Sequence, residues 1–122
     1  MRVLLVEDEP LIRMLMVDML EDAGFDILEA ESGVDACRLI DDPNHIDLVV
    51  TDLNMPEADG VAVAKRARAH PPDVPVLFVS ARSDLLNSLS APGPYSYLTK
   101  PFSMEQFSAA VNALLAPPKR PH

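Results

Sequence analysis

The sequence has one cysteine, no tryptophan and few basic residues. A single cysteine excludes an intramolecular disulfide, which fits a reducing compartment. Ten Lys and Arg residues stand against nineteen Asp and Glu residues, and the formal net charge is -9. Because phosphate contacts require clustered basic side chains, this balance argues against a nucleic-acid partner.

The chain also lacks a long apolar run. No stretch approaches the ~20 residues that a membrane-spanning helix needs, and Met1-Arg2 leads directly into a predicted strand instead of a signal peptide. We therefore expect a cytoplasmic protein without a membrane partner. Its 122 residues, 48% of them hydrophobic and 24% charged, are typical of one globular domain.

Apolar runs alternate with segments of helical periodicity, which predicts an α/β fold with a parallel sheet. Strands are predicted at residues 2–6, 25–30, 46–51, 74–80 and 95–98. The first, third and fourth contain continuous apolar runs, as expected for central strands covered by helices on both faces. The folded domain is expected to span residues 1–116, followed by a Pro-rich mobile tail at 117–122.

Helices are predicted from Pro10 to the residues before Gly24, and at 33–41, 60–69 and 103–116, with a short one at 82–90. In the first helix, Met14 and Val17 fall on the polar side. They indicate either a partner surface or scattered surface apolar residues. The opposite, core-facing side is predicted to contain Ile12, Leu15, Met16, Met19, Leu20 and Ala23.

Polar side chains follow four of the predicted strands. Glu7 and Asp8 follow the first, Asp52 the third, Ser80 the fourth and Lys100 the fifth. In a parallel sheet the carboxyl ends of the strands meet at one edge, where ligands bind. Three carboxylates placed together repel one another unless a cation lies among them, and oxygen ligands suit a divalent ion such as Mg²⁺.

A hydroxyl and an amine beside a metal-supported aspartate complete a phosphoryl-transfer set. Taken singly, Ser80 is a strand-end hydroxyl and Lys100 a solvated charge. The pair Asp59-Gly60 is interpreted as a turn and helix start only. The joint placement of the acids, hydroxyl and amine favours a reactive Asp52.

Four motifs carry a family resemblance: VLLVEDEP at 3–10, TDLNMP at 51–56, VSA at 79–81 and YLTKPF at 97–102. In order and spacing they resemble the receiver domain of bacterial two-component response regulators, over residues 2–116. The resemblance implies a doubly wound, five-stranded parallel sheet of flavodoxin-like order 2-1-3-4-5 with helices on both faces.

The resemblance also implies a role for each site residue. Asp52 would accept a phosphoryl group from a sensor histidine kinase or a phosphotransfer protein. Asp8 and Asp52 would bind Mg²⁺, with Mn²⁺ as an alternative ion, the backbone carbonyl of Asn54 as a further ligand and Glu7 acting through water. Lys100 and Ser80 would each hold a phosphoryl oxygen.

A switch is implied as well. Ser80 would move toward the phosphoryl group and Tyr97 would turn inward, while Pro101 fixes the loop after the lysine; a plain core role for Tyr97 is the competing interpretation. Asn54 and Arg82 would tune the lifetime of the acyl phosphate. A downstream protein would read the altered surface of a monomer or of a dimer formed on phosphorylation.

The sequence departs from the family pattern in two places. Glu7 stands where an aspartate is common, a conservative change. The stretch Ser90–Tyr95 replaces the usual Gly-Ala-containing turn, which puts the helix at 82–90 in doubt. This is similar to the variant receivers of some alphaproteobacterial regulators, in which that helix is short or mobile.

The leading hypothesis is a non-enzymatic, stand-alone phosphoacceptor switch; a domain of a longer regulator or hybrid kinase is its second version. One alternative is a small Mg²⁺-dependent phosphohydrolase, because Asp52-Leu53-Asn54 after a strand also suits an aspartyl-phosphate enzyme. However, 122 residues leave no room for a substrate-enclosing cap. A phosphorylation-independent interaction module is the other alternative.

Overall fold

The computed structural model describes residues 1–41, 45–53, 55, 59–70, 73–82, 84–85 and 93–115. These residues form the strands β1 Arg2–Val6, β2 Asp26–Ala30, β3 Leu48–Asp52, β4 Val76–Ser80 and β5 Tyr95–Thr99. They also form the helices α1 Pro10–Asp22, α2 Gly33–Asp41, α3 Gly60–Arg68 and α4 Met104–Leu115. Most of the short helix predicted at 82–90 lies outside the described residues, and so do Asn54, the predicted domain boundary at 116 and the tail.

All five strands are parallel and lie in the order β2-β1-β3-β4-β5. This confirms the predicted fold class and strand order. Strands β3 and β4 are buried along their whole length, and β1 is buried from Val3 onward. The continuous apolar runs therefore mark the central strands, as predicted, because helices cover both faces of the sheet.

Each face of the sheet has its own apolar core. Alternate residues of a strand point to opposite faces, so Leu4 packs with α2 and α3 while Leu5 packs with α1 and α4. Phe78 on β4 is fully buried in the first core, and Phe107 of α4 anchors the second. The two cores hold the strand ends, and hence the polar edge, in fixed register.

The structure corrects the prediction for one side of α1. Met16 and Leu20 are buried as predicted, but Leu15 is 59% exposed, whereas Val17 packs against the core. Leu15 and Val17 each lie about 100° from Met16 around the helix, on opposite flanks. Both therefore lie at the margin of the buried face, and tertiary packing covers Val17 but leaves Leu15 exposed. Ala23, just beyond the helix, is exposed as well.

Asp47 joins the beginnings of β1 and β3. Its Oδ2 accepts a hydrogen bond of 2.8 Å from the Arg2 backbone N–H, and its own N–H donates to the Arg2 carbonyl at 2.8 Å. His45 Nε2 lies 2.7 Å from Asp47 Oδ1. The backbone N–H of Arg2, together with His45, lowers the pKa of Asp47 although partial burial opposes the shift.

We expect Asp47→Asn to lower the free energy of unfolding by about 1 kcal/mol at neutral pH, because the acceptor of the Arg2 N–H loses its negative charge. A carboxyl with a lowered folded pKa stabilises the fold above its unfolded pKa of about 4, and this contribution is lost as the pH falls through the folded value. Urea unfolding of both proteins between neutral and acidic pH measures the difference.

The gap between wild type and variant should close toward acidic pH. Asp18→Asn, at an exposed position of α1, serves as the matched control and should show little effect at any pH. A gap that stays constant down to acidic pH would show that the Asp47 charge contributes nothing.

Candidate active site at the carboxyl edge of the sheet

The carboxyl edge brings together three acidic side chains from two central strands. Glu7 and Asp8 follow β1, and Asp52 is the last residue of β3, one position later than the predicted strand end. One carboxylate oxygen from each of the three lies within 4.8 Å of the others. The predicted cluster therefore exists in the folded chain.

Lys100 follows the edge strand β5, and its side chain reaches this cluster. Its Nζ lies 2.5 Å from Glu7 Oε1 and 3.1 Å from Asp52 Oδ2. Glu7 is fully buried, Asp52 is 8% exposed and Asp8 is exposed. The ammonium group thus neutralises the inner part of the cluster, while Asp8 faces solvent.

Burial and charge act against each other at this ion pair. Burial raises the pKa of Glu7, although the hydrogen bond and charge of Lys100 oppose the shift. Burial alone would lower the pKa of Lys100, but the carboxylates of Glu7 and Asp52 outweigh it and raise the pKa above its usual value. Lys100 consequently carries its positive charge at neutral pH.

The donor set fits a hard divalent cation. Three carboxylates face one ammonium group, so negative charge remains in excess, and carboxylate oxygens are the ligands that Mg²⁺ prefers. An exposed Asp8 next to a nearly buried Asp52 leaves an entry from solvent. The predicted backbone ligand of Asn54 lies outside the described residues.

Ser80 ends β4 at the same edge and is buried. Its hydroxyl accepts a hydrogen bond of 3.0 Å from the Arg82 backbone N–H, and its carbonyl accepts one of 2.8 Å from Lys100 N–H. The guanidinium group of Arg82 pairs with Asp84 through two hydrogen bonds of 3.0 and 2.8 Å. Ser80 is therefore fixed beside the strand that delivers Lys100.

Tyr97 and Pro101 lie on either side of Lys100 in the sequence. Tyr97 is 48% exposed on β5, so the competing interpretation of this residue as a core side chain is wrong. The Lys100-Pro101 peptide bond is cis. Tyr97 is thus an exposed aromatic residue in the middle of the edge strand β5, three residues before the lysine that contacts the acidic cluster.

Sequence reasoning missed two contributors to the site, Gly60 and Arg13. Asp59 caps α3 by accepting a hydrogen bond of 3.0 Å from Ala62 N–H, as a helix start should. Gly60, however, also packs directly on the β3 end, since a Cβ there would lie 2.6 Å from the Asp52 carbonyl oxygen. The second is Arg13, whose Nη1 donates to the Glu7 carbonyl at 2.8 Å. A glycine and an arginine in ordinary helical positions give no local signal of such contacts.

We expect Gly60→Ala to destabilise the fold by about 1–3 kcal/mol, because the added methyl group overlaps backbone atoms that cannot move independently of Asp52. Helix propensity alone predicts the opposite sign, since alanine is favoured over glycine in helices by about 1 kcal/mol. Chemical denaturation decides between the two effects.

Ala62→Gly, at an exposed position in the same helix, is the control for propensity and should cost about 1 kcal/mol. If Gly60→Ala instead raised the free energy of unfolding, the close approach of α3 to Asp52 would not constrain this position.

An apolar groove adjoins the site. It has a volume of about 340 Å³ and lies between α1 and the loop after Lys100. Leu11, Met14 and Leu15 are exposed on α1, and Leu15 also lines the groove. Its other lining residues are Glu9, Ile12, Met16, Met19, Ala81, Lys100, Pro101 and Phe102.

Among the residues that the structure describes, none of the helices has the length and apolar character needed to span a membrane.

Comparison with known proteins identifies one family. Residues 3–112 match the sequence profile described as response regulator receiver domain. The chain is 38% identical over 116 residues to the sensor kinase CckA of Brucella abortus, covering 93% of this chain and 12% of the kinase. It spans about half the length of several transcriptional regulators that it also matches.

Solved structures give the same family. A response regulator receiver protein from Sinorhizobium medicae superposes with a TM-score of 0.85 at 32% identity, covering 93% of each chain. The response regulator TrrA from Thermotoga maritima, solved with Mg²⁺ and BeF, gives a TM-score of 0.79 at 32% identity and covers 93% of this chain and 98% of TrrA.

Proposed function

Because the chain belongs to the response regulator receiver domain family, we propose that it accepts a phosphoryl group on Asp52 from a phosphohistidine of a sensor histidine kinase or phosphotransfer protein. The observation that carries this proposal is the placement of Asp52. Its carboxylate is slightly exposed at the carboxyl edge, is grouped with Glu7 and Asp8, and lies 3.1 Å from the Lys100 ammonium.

In the proposed reaction, a carboxylate oxygen of Asp52 attacks phosphorus, and the bond between phosphorus and the donor imidazole nitrogen breaks. The electron pair of that bond stays on the nitrogen, the imidazole leaves in the neutral form with the hydrogen that its other nitrogen already carries, and Asp52 becomes an acyl phosphate. Lys100 contacts one phosphoryl oxygen and Ser80 another, so that both compensate charge on the transferred group. The Ser80 hydroxyl, which accepts from Arg82 N–H, would donate its own hydrogen to that phosphoryl oxygen.

The carboxylates would hold Mg²⁺ or, as an alternative, Mn²⁺. Asp8 and Asp52 are proposed as direct ligands, the Asn54 carbonyl as a further one and Glu7 as a ligand through water. The ion supplies positive charge that the phosphoryl oxygens need. The 2.5 Å contact between Glu7 and Lys100 gives Glu7 a second role, which is to hold the ammonium group in place.

Phosphorylation is proposed to switch a protein-interaction surface. Ser80 would move toward the phosphoryl group and Tyr97, now exposed, would turn inward, with Pro101 fixing the connecting loop. Asn54 and Arg82 would tune the lifetime of the acyl phosphate. A downstream protein would then distinguish the two states of the surface around β5 and α4.

The family match favours this function over the two alternatives. A phosphohydrolase would need a substrate-enclosing cap, whereas the profile match spans residues 3–112 without an inserted domain. An interaction module that works without phosphorylation would not require a partly buried lysine held between two carboxylates. The chain covers 12% of the sensor kinase and 52% of one transcriptional regulator, so the proposal does not include the overall activities of these longer proteins.

We expect incubation with acetyl phosphate and Mg²⁺ to add a single phosphoryl group to the protein, detected by intact mass. Asp52→Asn should abolish the addition, because an amide oxygen cannot form the acyl phosphate. Omission of Mg²⁺ should strongly reduce it, since the clustered carboxylates repel the incoming phosphoryl oxygens.

Asp18→Asn, at an exposed position on α1, is the matched control and should be phosphorylated like wild type. Continuous turnover of many donor molecules with substrate selectivity would support the hydrolase. Absence of any addition to the wild type, with Mg²⁺ present, would contradict the proposed function.

The exposed apolar residues of α1, of which Leu15 lines the groove beside Lys100, provide a test of the phosphodonor surface. We expect Met14→Ser and Leu15→Ser to slow transfer from a phosphorylated histidine kinase by about tenfold, because an exposed apolar contact of α1 is lost. The rate with acetyl phosphate should not change, since this small donor needs no protein interface.

Val34→Ser, on the first turn of α2, is the matched control because Val34 is likewise an exposed apolar residue, 51% accessible. It should transfer at the wild-type rate with either donor. Equal rates of transfer from the kinase to the wild type and to all three variants would show that these residues of α1 do not contact the phosphodonor.

A further inference from the structure

The turn from Glu7 to Glu9 carries the metal-binding acids and is held by backbone and side-chain contacts. Glu7 N–H donates to the Ala30 carbonyl at 3.1 Å, and Glu7 Oε2 accepts from Glu9 N–H at 3.2 Å. These contacts fix Glu7 on β1. Asp8, the exposed acid of the cluster, depends on the orientation of the peptide group that joins it to Glu7.

Arg13 holds that peptide group from α1. Its Nη1 donates to the Glu7 carbonyl at 2.8 Å, and its Nε lies 3.4 Å from Glu29 Oε1 on β2. The Arg13 side chain is 20% exposed, compared with 53% for Glu29. One planar guanidinium group on α1 therefore contacts both the turn after β1 and the edge strand β2. A lysine cannot reproduce both contacts at once.

From this arrangement we infer that Arg13 is a positioning residue that orients the Glu7-Asp8 peptide and thereby sets the affinity of the site for Mg²⁺. The inference rests on the proposed function in so far as that function requires Mg²⁺ at Asp8. Arg13 acts through the backbone of the turn and is not proposed as a metal or phosphoryl contact. Partners that orient metal ligands typically change metal affinity by about tenfold or more when removed.

Charge and position give opposite expectations for Arg13. A positive side chain near a cation site weakens cation binding, so removing its charge should strengthen Mg²⁺ binding if electrostatics dominates. Loss of the hydrogen bond to the Glu7 carbonyl should weaken Mg²⁺ binding if position dominates. The sign of the change in affinity therefore separates the two effects.

The experiment is a calorimetric Mg²⁺ titration of the full chain and its variants. We expect Arg13→Gln to bind Mg²⁺ about tenfold more weakly than wild type. Arg13→Lys should fall between the two, because its ammonium group can keep one of the two contacts but not both. Arg38→Gln removes an exposed arginine of α2 that pairs only with Asp35 among the contacts described, and it should bind like wild type.

A second readout uses phosphorylation by acetyl phosphate at increasing Mg²⁺. In Arg13→Gln the half-saturating Mg²⁺ concentration should rise by a similar factor, while the rate at saturation stays close to wild type. A role confined to stability would shift the unfolding midpoint and leave the half-saturating concentration unchanged. If Arg13→Gln fails to fold, Arg13→Lys decides alone, because it keeps the charge and weaker Mg²⁺ binding then reports the lost geometry of the guanidinium.

Tighter binding by Arg13→Gln with unchanged binding by Arg13→Lys would overturn the inference in favour of a pure charge effect. Wild-type affinity in all Arg13 variants, or no Mg²⁺ binding by wild type, would also overturn it. A wild type that binds Mg²⁺ but acquires no phosphoryl group would refute the proposed function alone, since the titration still decides the role of Arg13.

Discussion

Lys100 joins two carboxylates that come from separate strands, and the site depends on this bridge. Like charges about 4 Å apart repel by roughly 4 kcal/mol at the effective dielectric of a protein surface, so the grouped acids require a positive partner. Lys100 supplies it from a position 93 residues away from Glu7. Because β3 and β4 lie between β1 and β5, the bridge forms only when all the central strands are in register.

The fold in turn determines where the Lys100 ammonium group lies and which groups surround it. Lys100 N–H donates to the Ser80 carbonyl, so the backbone of β4 sets where the side chain begins. A fully buried Glu7 has no solvent to stabilise its charge, and the ammonium group replaces that solvent at 2.5 Å. The longer side chain at a position where aspartate is common thus serves as an internal partner of Lys100 as well as a predicted ligand through water.

Much of this arrangement could be predicted from the sequence. The continuous apolar runs before Glu7 and Asp52 identify central strands, and parallel strands place their carboxyl ends at one edge, which brings the acids and Lys100 together. Contacts between distant elements could not be predicted in this way. Leu15 and Val17 have equivalent helical positions at the margin of the buried face, and only packing decides which one is covered. Gly60 and Arg13 contact backbone atoms of Asp52 and Glu7, which belong to other elements. The residues next to them in the sequence therefore give no signal of these contacts.

Helix α1 contacts both the turn that carries Asp8 and the apolar groove beside the site. Arg13 contacts the turn that carries Asp8, whereas Leu15 lines a groove that also includes Lys100 and Phe102. A protein that fills this groove therefore touches the helix that orients Asp8 and the lysine that bridges Glu7 and Asp52. The exposed apolar flank of α1 and the polar contact of Arg13 belong to one helix, so the proposed phosphodonor surface lies beside the residue proposed to orient Asp8.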